Sequence, residues 1–150
     1  MGEEGRRPRA PVRISLRSIA RVMAVSFAVL ITILSLTPET EDLDGATDMF
    51  GWVMDLIFGH PEMGDKLAHF TAYGALAVTA AIGFAQSARG IFAVFVATFL
   101  FGTLMEFGQG FISERETDSL DLIANLGGLA AGIVAGALLG RYLPNDGHPA

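Results

Sequence analysis

Residues Leu120–Leu139 read LDLIANLGGLAAGIVAGALL, a run whose only charged side chain is Asp121. Apolar runs of about 18 residues or more indicate a membrane span. Because a bilayer offers the backbone no hydrogen-bond partners, a span must be a helix or a strand of a closed barrel. This run is about twice as long as a barrel strand and does not alternate between polar and apolar residues. It therefore predicts a transmembrane helix.

Three further apolar runs predict three more transmembrane helices: Ser18 to Leu36, Leu67 to Gln86 and Ile91 to Ile112. The composition agrees, since 51% of the residues are hydrophobic and 17% are charged, against about 25% charged in an ordinary soluble domain. The 150 residues leave room for one domain. The absence of cysteine excludes disulfides, thiolate zinc sites and iron–sulfur ligation. The predicted fold is an all-α membrane protein, a bundle of four transmembrane helices.

The basic residues predict how the chain is oriented in the membrane. Eight arginines precede or enter the first run or follow the second and fourth runs: Arg6, Arg7, Arg9, Arg13, Arg17, Arg21, Arg89 and Arg141. The 38–65 segment is acidic and contains neither Lys nor Arg. Because Lys and Arg in short loops stay on the cytoplasmic side, we expect both termini in the cytoplasm and the 38–65 and 113–119 loops outside.

The predicted organisation has three parts. Residues 1–17 form an Arg-rich cytoplasmic segment, residues 18–143 form the membrane domain, and residues 144–150 form a disordered tail. A cleaved signal peptide is the alternative for the first run, because its start is basic and its centre is apolar. The apolar stretch is too long for a signal peptide, however, and Leu36-Thr37-Pro38 is not a small-x-small cleavage site.

The first outer loop contains an apolar stretch, Met49 to Phe58, that is too short to span a bilayer. Because Trp and Phe favour the membrane interface, Trp52 and its neighbours predict a short helix lying on the outer leaflet. This helix is either a passive anchor, which we prefer, or a lid over the polar residues described below.

A glycine row marks the fourth run, where Gly128, Gly132 and Gly136 recur at every fourth residue. Small residues at this spacing allow two helix backbones to approach closely. The partner helix belongs either to the same chain, which we prefer, or to a second copy in a homo-oligomer formed through the fourth helix.

Polar side chains gather near the predicted outer ends of the last three spans. They are Asp65, Lys66, His69 and Tyr73 in the second span, Glu106 and Gln109 in the third, Arg115 in the outer loop, and Asp118, Asp121 and Asn125 in the fourth. Spacings of three and four put the members of a set on one helix face. Glu106 lies about 9 Å inside the predicted outer boundary. A charged side chain costs about 2.5–3.5 kcal/mol at the bilayer centre, so these residues should face one another rather than lipid.

The one-sided position of these residues predicts a pocket at the outer leaflet. The cytoplasmic halves of the second, third and fourth spans, such as Ala75 to Ala85, hold no ionisable group, whereas transporters and proton relays usually need polar groups through the midplane. Transport is therefore not the preferred function. Taken singly, the residues could instead be helix caps, buried pairs or, for Lys66, a side chain that snorkels to the surface.

A metal site is a further alternative, with Asp65, His69, Glu106 and Asp121 as ligands. A single histidine without cysteine suits zinc poorly, and a hard cation that prefers oxygen ligands would fit better. We nevertheless expect no metal and no cofactor.

Four sequence blocks resemble those of the VanZ-like family and occur in the expected order: Leu34-Ser35-Leu36-Thr37-Pro38, Asp65 to Tyr73 (DKLAHFTAY), Glu106 to Gln109 (EFGQ) and Asp118 to Gly128 (DSLDLIANLGG). The resemblance covers roughly residues 20–140. It implies a multispan bacterial membrane protein, and the family's namesake is associated with resistance to teicoplanin, a lipid-bearing glycopeptide that acts at the outer face of the membrane. It also implies that the family's polar core consists of Asp65, Lys66, His69, Tyr73, Glu106, Gln109, Asp121 and Asn125.

Two functions are compatible with this pattern. The first, which we prefer, is a non-catalytic envelope protein of the bacterial cytoplasmic membrane whose outer pocket binds a lipid-linked or lipopeptide ligand. The second is a small intramembrane enzyme acting on such a lipid, with Glu106 or Asp121 as general acid or base and Lys66 or Arg115 holding a phosphate. The sequence contains no nucleophile motif and no phosphate-binding glycine loop. We expect membrane lipid, and no nucleic acid, among the partners.

Overall fold

The computed structural model describes residues 15–37, 41–111 and 119–144. Within these ranges it contains no strand and five α-helices: α1 Leu16–Leu36, α2 Glu41–Phe58, α3 Gly64–Phe84, α4 Ala88–Gln109 and α5 Ser119–Gly140. A 3₁₀ turn, Pro61–Met63, leads into α3. Helices α1, α4, α5 and α3 with its turn are long and apolar enough to cross a membrane. The predicted fold class is thereby confirmed.

The three-part organisation and the cytoplasmic position of both termini stay predictions. Most of the Arg-rich amino-terminal segment (1–14) and nearly all of the carboxyl-terminal tail (145–150) lie outside the described residues.

Polar caps set the beginnings of two helices, α1 and α4. Both helices begin earlier than hydropathy predicts. The side chain of Ser15 accepts a hydrogen bond from the backbone N–H of Ser18 at 3.0 Å, so α1 begins two residues before the predicted span. Ser87 accepts in the same way from Gly90 at 3.1 Å, so α4 begins three residues early and includes Arg89. A cap satisfies backbone N–H groups that have no partner within the helix, which a count of apolar residues does not detect.

The predicted short helix Met49 to Phe58 is part of a longer one, since α2 begins at Glu41. The first half of α2 is acidic and includes Asp42 and Asp44. Acidic residues favour the start of a helix because of the helix dipole, but they do not belong to the apolar stretch on which the prediction relied. Among the described elements α2 packs only on α3 and the 3₁₀ turn, and the Gly51 backbone lies directly against Gly64. The position of α2 on the outer leaflet stays a prediction.

The glycine row of α5 packs against α3 within the same chain. A methyl group placed on Gly128 would collide with the backbone of Phe70, and one on Gly132 with the backbone of Gly74. One on Gly136 would lie 2.7 Å from the carbonyl oxygen of Val78. The three glycines therefore let α3 and α5 meet backbone to backbone. A second copy of the chain would have to use another face of α5.

Arg17 joins three helices at the end of the bundle where α1 begins and α3 and α5 end. The residue is only 3% exposed. Its guanidinium donates to the carbonyl oxygens of Ile82 at 2.9 Å, Gly140 at 2.8 Å, Leu143 at 3.3 Å and Pro144 at 3.0 Å. One turn further along α1, Arg21 donates to the carbonyl of Gly83 at 2.8 Å. The bonds to Ile82, Gly83 and Gly140 reach carbonyls in the last turns of α3 and α5, which have no partner within the helix. The sequence interpretation used both arginines only as orientation signals.

Candidate functional site

Three helix ends meet at the opposite end of the bundle, because α3 and α5 begin where α4 ends. They bring together six of the predicted site residues, which we call the polar cluster: Asp65, Lys66, His69, Glu106, Asp121 and Asn125. Glu106 lies about 4.5 Å from the end of α4 at 1.5 Å per residue, because α4 ends at Gln109. Its depth in the membrane stays a prediction.

Lys66 forms the charged half of the cluster. Its Nζ lies 2.5 Å from Oδ2 of Asp65 and 2.7 Å from Oδ1 of Asp121. The lysine side chain is 14% exposed, so it lies between α3 and α5 rather than snorkelling into water. The contact with Asp121 is a close ion pair between two largely buried side chains. Lys66 thus holds together two carboxylates that would otherwise repel each other.

Asn125 forms the hydrogen-bonded half of the cluster and is 2% exposed. Its Nδ2 donates to Oε1 of Glu106 at 2.7 Å, and its Oδ1 lies 3.1 Å from Nδ1 of His69. An amide oxygen can only accept, so in this arrangement Nδ1 of His69 carries a proton. The chain of hydrogen bonds connects α3, α5 and α4. It leaves Nε2 of His69 as the ring nitrogen facing away from Asn125, 3.9 Å from Oδ2 of Asp121.

A cavity of about 150 Å³ adjoins the cluster between α1, α3 and α4. Its polar lining consists of Ser35, His69, Tyr73 and Gln109. Tyr73 is 2% exposed, and its hydroxyl has no hydrogen-bond partner among the described residues. Leaving a buried polar group without a partner costs about 1–3 kcal/mol. Tyr73 is therefore a polar group beside a space that a ligand could occupy.

Sequence reasoning missed the contribution of α1 to this cavity. Ser35 is buried, and Ile31 and Leu34 also line the cavity. Ser35 lies in the Leu34 to Pro38 block, which was quoted for the family resemblance but not assigned to the site. The family resemblance of this block was the signal in the sequence that could have assigned Ser35 to the site.

A second cavity, about 380 Å³, lies deeper between the same three helices. Its lining is almost entirely apolar and includes five alanines: Ala24, Ala28, Ala80, Ala93 and Ala97. The two cavities are one helical turn apart, since Ile31 and Ala72 line the first while Ala28 and Leu76 line the second. We call the two together the cleft.

Two predicted site residues, Arg115 and Asp118, lie outside the described residues. Within the part of the chain that the structure describes, no group of three or more His, Asp or Glu side chains is arranged to hold a metal ion. The suggested metal ligands have other partners there, since Lys66 binds Asp65 and Asp121 while Asn125 binds Glu106.

The family comparison agrees with this architecture. A model of the family VanZ/LLP1 matches residues 14–140, most of the chain. The chain belongs to the VanZ/LLP1 family. The VanZ/LLP1 match includes all four spans and the whole polar cluster, so the resemblance drawn from four sequence blocks is confirmed. No curated protein and no solved structure matches the chain.

We expect Lys66→Met to destabilise the protein by about 2 kcal/mol, because Asp65 and Asp121 lose the amine that they share. Replacing Asp121 by Asn in the same chain should recover at least half of this loss, since the neutral amide no longer needs a cation. Thermal unfolding of the purified variants in detergent measures both effects. If the two substitutions destabilise additively, Lys66 and Asp121 are not coupled.

Proposed function

We propose that this VanZ/LLP1 protein is a non-catalytic protein of the bacterial cytoplasmic membrane whose cleft binds one amphiphilic molecule from the outer leaflet. The polar part of the ligand would occupy the 150 Å³ cavity beside His69 and Tyr73, and an acyl chain would occupy the alanine-lined cavity. The observation that carries this proposal is the buried Tyr73 hydroxyl, which has no partner among the described residues.

The size of the polar cavity supports a ligand that brings its own polar group. A water molecule takes about 30 Å³ of liquid volume, so the cavity of about 150 Å³ has room for several waters or for part of a head group. A ligand hydroxyl, amide or sugar in this cavity would lie beside the side chains of Tyr73 and His69, which both line it. Such a group would replace water with fixed partners, which is how a mostly apolar site gains specificity.

The deeper cavity supports an acyl chain as the second part of the ligand. Its lining contains no charged residue, and Val25, Ala93 and Ala97 on its rim are exposed on the surface of the bundle. In a membrane this surface faces lipid. A chain bound among alanine methyl groups would gain contact with three helices at once and would lose little polar hydration.

The charge distribution supports an outer position for the cleft's polar end. Arg17, Arg21, Arg89 and Arg141 lie at the opposite end of the bundle, and the segment before α3 is acidic. The positive-inside rule then puts the arginines in the cytoplasm and the polar cluster at the outer leaflet. A lipid-bearing glycopeptide such as teicoplanin, or a lipid-linked envelope precursor, is an amphiphile available on that side. Binding it would change its access to the cell-wall machinery.

Tyr73→Phe tests the proposal, with Tyr142→Phe as the matched control, because Tyr142 is 87% exposed and lies outside the cleft. We expect Tyr73→Phe to weaken teicoplanin binding about tenfold, the loss of one buried hydrogen bond. Its thermal stability should stay equal or rise, because the unpaired hydroxyl is gone. Binding is measured on purified protein in detergent, beside a glycopeptide of the same class without an acyl chain.

Binding that is equal for both glycopeptides would contradict the acyl-chain part of the proposal. Loss of stability together with binding in Tyr73→Phe would assign the hydroxyl a structural role. Turnover of a lipid-linked precursor that disappears in Glu106→Gln would establish the enzyme instead.

A further inference from the structure

Ser35 of α1 carries a hydroxyl that the hydrogen-bond network of the fold does not use. The residue is 7% exposed and borders the cavity of about 150 Å³. Its side chain makes no hydrogen bond with any of the described residues. The hydroxyls of Thr79 and Thr98, in contrast, donate to the carbonyl oxygens four residues earlier, at 2.8 Å and 2.7 Å, as hydroxyls in apolar helices often do. Ser35 is thus a buried polar residue at the wall of a cavity, without a partner in the described part of the fold.

The packing of α1 fixes the position of this hydroxyl. Ile31, one turn before Ser35, is buried and lines the same cavity. Leu36, the next residue, packs against α4, where a Cβ added to Gly108 would lie 3.0 Å from a methyl carbon of Leu36. The same face of α1 is otherwise apolar, since Ala28 and Ile31 precede Ser35 at spacings of three and four. An alanine would pack equally well here, so packing does not account for the hydroxyl.

The other polar wall of the cavity belongs to α3, which contributes His69 and Tyr73. A serine hydroxyl donates one hydrogen bond and has two lone pairs that accept. It therefore suits a ligand group that also both donates and accepts, as the hydroxyls of a sugar do. A group of this kind between α1 and α3 would supply the partner that Ser35 lacks and would lie beside the buried Tyr73.

The charges next to the cavity favour a ligand group without a negative charge. The carboxylates of Glu106 and Asp121 lie 4.0 Å and 3.9 Å from the two ring nitrogens of His69, which lines the cavity. Both carboxylates would repel a phosphate placed beside this ring. The ammonium of Lys66 is held between Asp65 and Asp121. An uncharged group avoids this repulsion and retains the hydrogen bond with Ser35.

We propose that Ser35 binds an uncharged, sugar-type head group and thereby selects the ligand of the cleft. This inference rests on the proposed amphiphile-binding function and narrows the class of its ligand to amphiphiles with a hydroxyl-rich, neutral head. Ser35 would contact the head group from α1, while His69 and Tyr73 would lie on its other side. Helix α1 then takes part in ligand recognition as well as in spanning the membrane.

The experiment measures binding of a radiolabelled alkyl glucoside to the full chain, purified in a detergent without a sugar head group and placed in phosphatidylcholine nanodiscs. An alkyl phosphate of the same chain length is the comparison. We expect the wild type to bind the glucoside more tightly than the phosphate. Ser35→Ala should weaken glucoside binding about fivefold, the effect of one neutral hydrogen bond. Ser26→Ala should bind as the wild type does, since Ser26 lies in the same helix but is exposed and lines neither cavity.

Thermal unfolding separates recognition from folding, because Ser35→Ala should be at least as stable as the wild type. Unchanged glucoside binding in Ser35→Ala, with weaker binding in Tyr73→Phe, would overturn the role of Ser35 and leave the proposed function standing. Tighter binding of the alkyl phosphate would overturn the uncharged head group. Binding of teicoplanin but of neither alkyl probe would overturn this inference alone, whereas binding of none of the three would contradict the amphiphile-binding function itself.

Discussion

Gly128→Ala should prevent stable folding, whereas Gly127→Ala, one residue away, should be tolerated. The added methyl group on Gly128 would lie well inside contact distance of the Phe70 carbonyl oxygen and 2.8 Å from its carbonyl carbon. Backbone atoms cannot move aside as a flexible side chain can, so α3 and α5 would have to separate along their length. We expect a loss of about 3 kcal/mol or more, the upper end of overpacking effects.

Gly127→Ala is a close control because both substitutions make the same chemical change in the same helix. Its methyl group would meet only the ring of Phe70, at 3.5 Å, which is ordinary contact. The measurement is the amount of monodisperse protein recovered from membranes and its midpoint of thermal unfolding in detergent. Similar losses in both variants would show that the close contact at Gly128 is not what holds α3 to α5.

Arg17→Leu should destabilise the bundle by about 4 kcal/mol, because four carbonyl oxygens at the ends of α3 and α5 lose a charged donor. A hydrogen bond to a charged group contributes about 1.5–3 kcal/mol, and water at the membrane surface can replace part of this. Arg17→Lys separates the two roles of this residue. It preserves the charge that is predicted to orient the first span, but an ammonium cannot reach all four oxygens as a planar guanidinium does.

We therefore expect Arg17→Lys to insert in the wild-type orientation with a stability between those of Arg17→Leu and the wild type. Labelling of the termini in intact cells reports orientation, and thermal unfolding in detergent reports stability. If Arg17→Lys is as stable as the wild type, the charge alone accounts for the contribution of Arg17.

The spans and the polar cluster were predictable because local rules govern them. Apolar run length determines which segments cross a membrane, and spacings of three and four residues put Asp65 and His69 on one face of α3. The cost of a charge in lipid then required Glu106 to face other polar groups. None of these steps needed knowledge of how the helices pack.

The remaining features depend on contacts between distant parts of the chain. The buried position of Arg17 follows from the ends of α3 and α5, which lie 65 and 123 residues further along. The cleft follows from the way in which α1 and α4 pack beside α3, so no single segment encodes it. The extra length of α2 has a local cause. Hydropathy predicts a loop for its acidic first half, whereas the helix dipole favours acidic residues at the start of a helix.

The bonds of Arg17 also bear on how the chain reaches its final topology. A chain whose first span entered the bilayer backwards would carry Arg17 to the wrong membrane face, where the ends of α3 and α5 are absent. An error in the direction of one helix would then leave four carbonyl groups without their donor and the guanidinium without its acceptors. The side chain that the positive-inside rule predicts to direct insertion would thus also make a wrongly inserted molecule unstable, and such a molecule would be a target for membrane proteases.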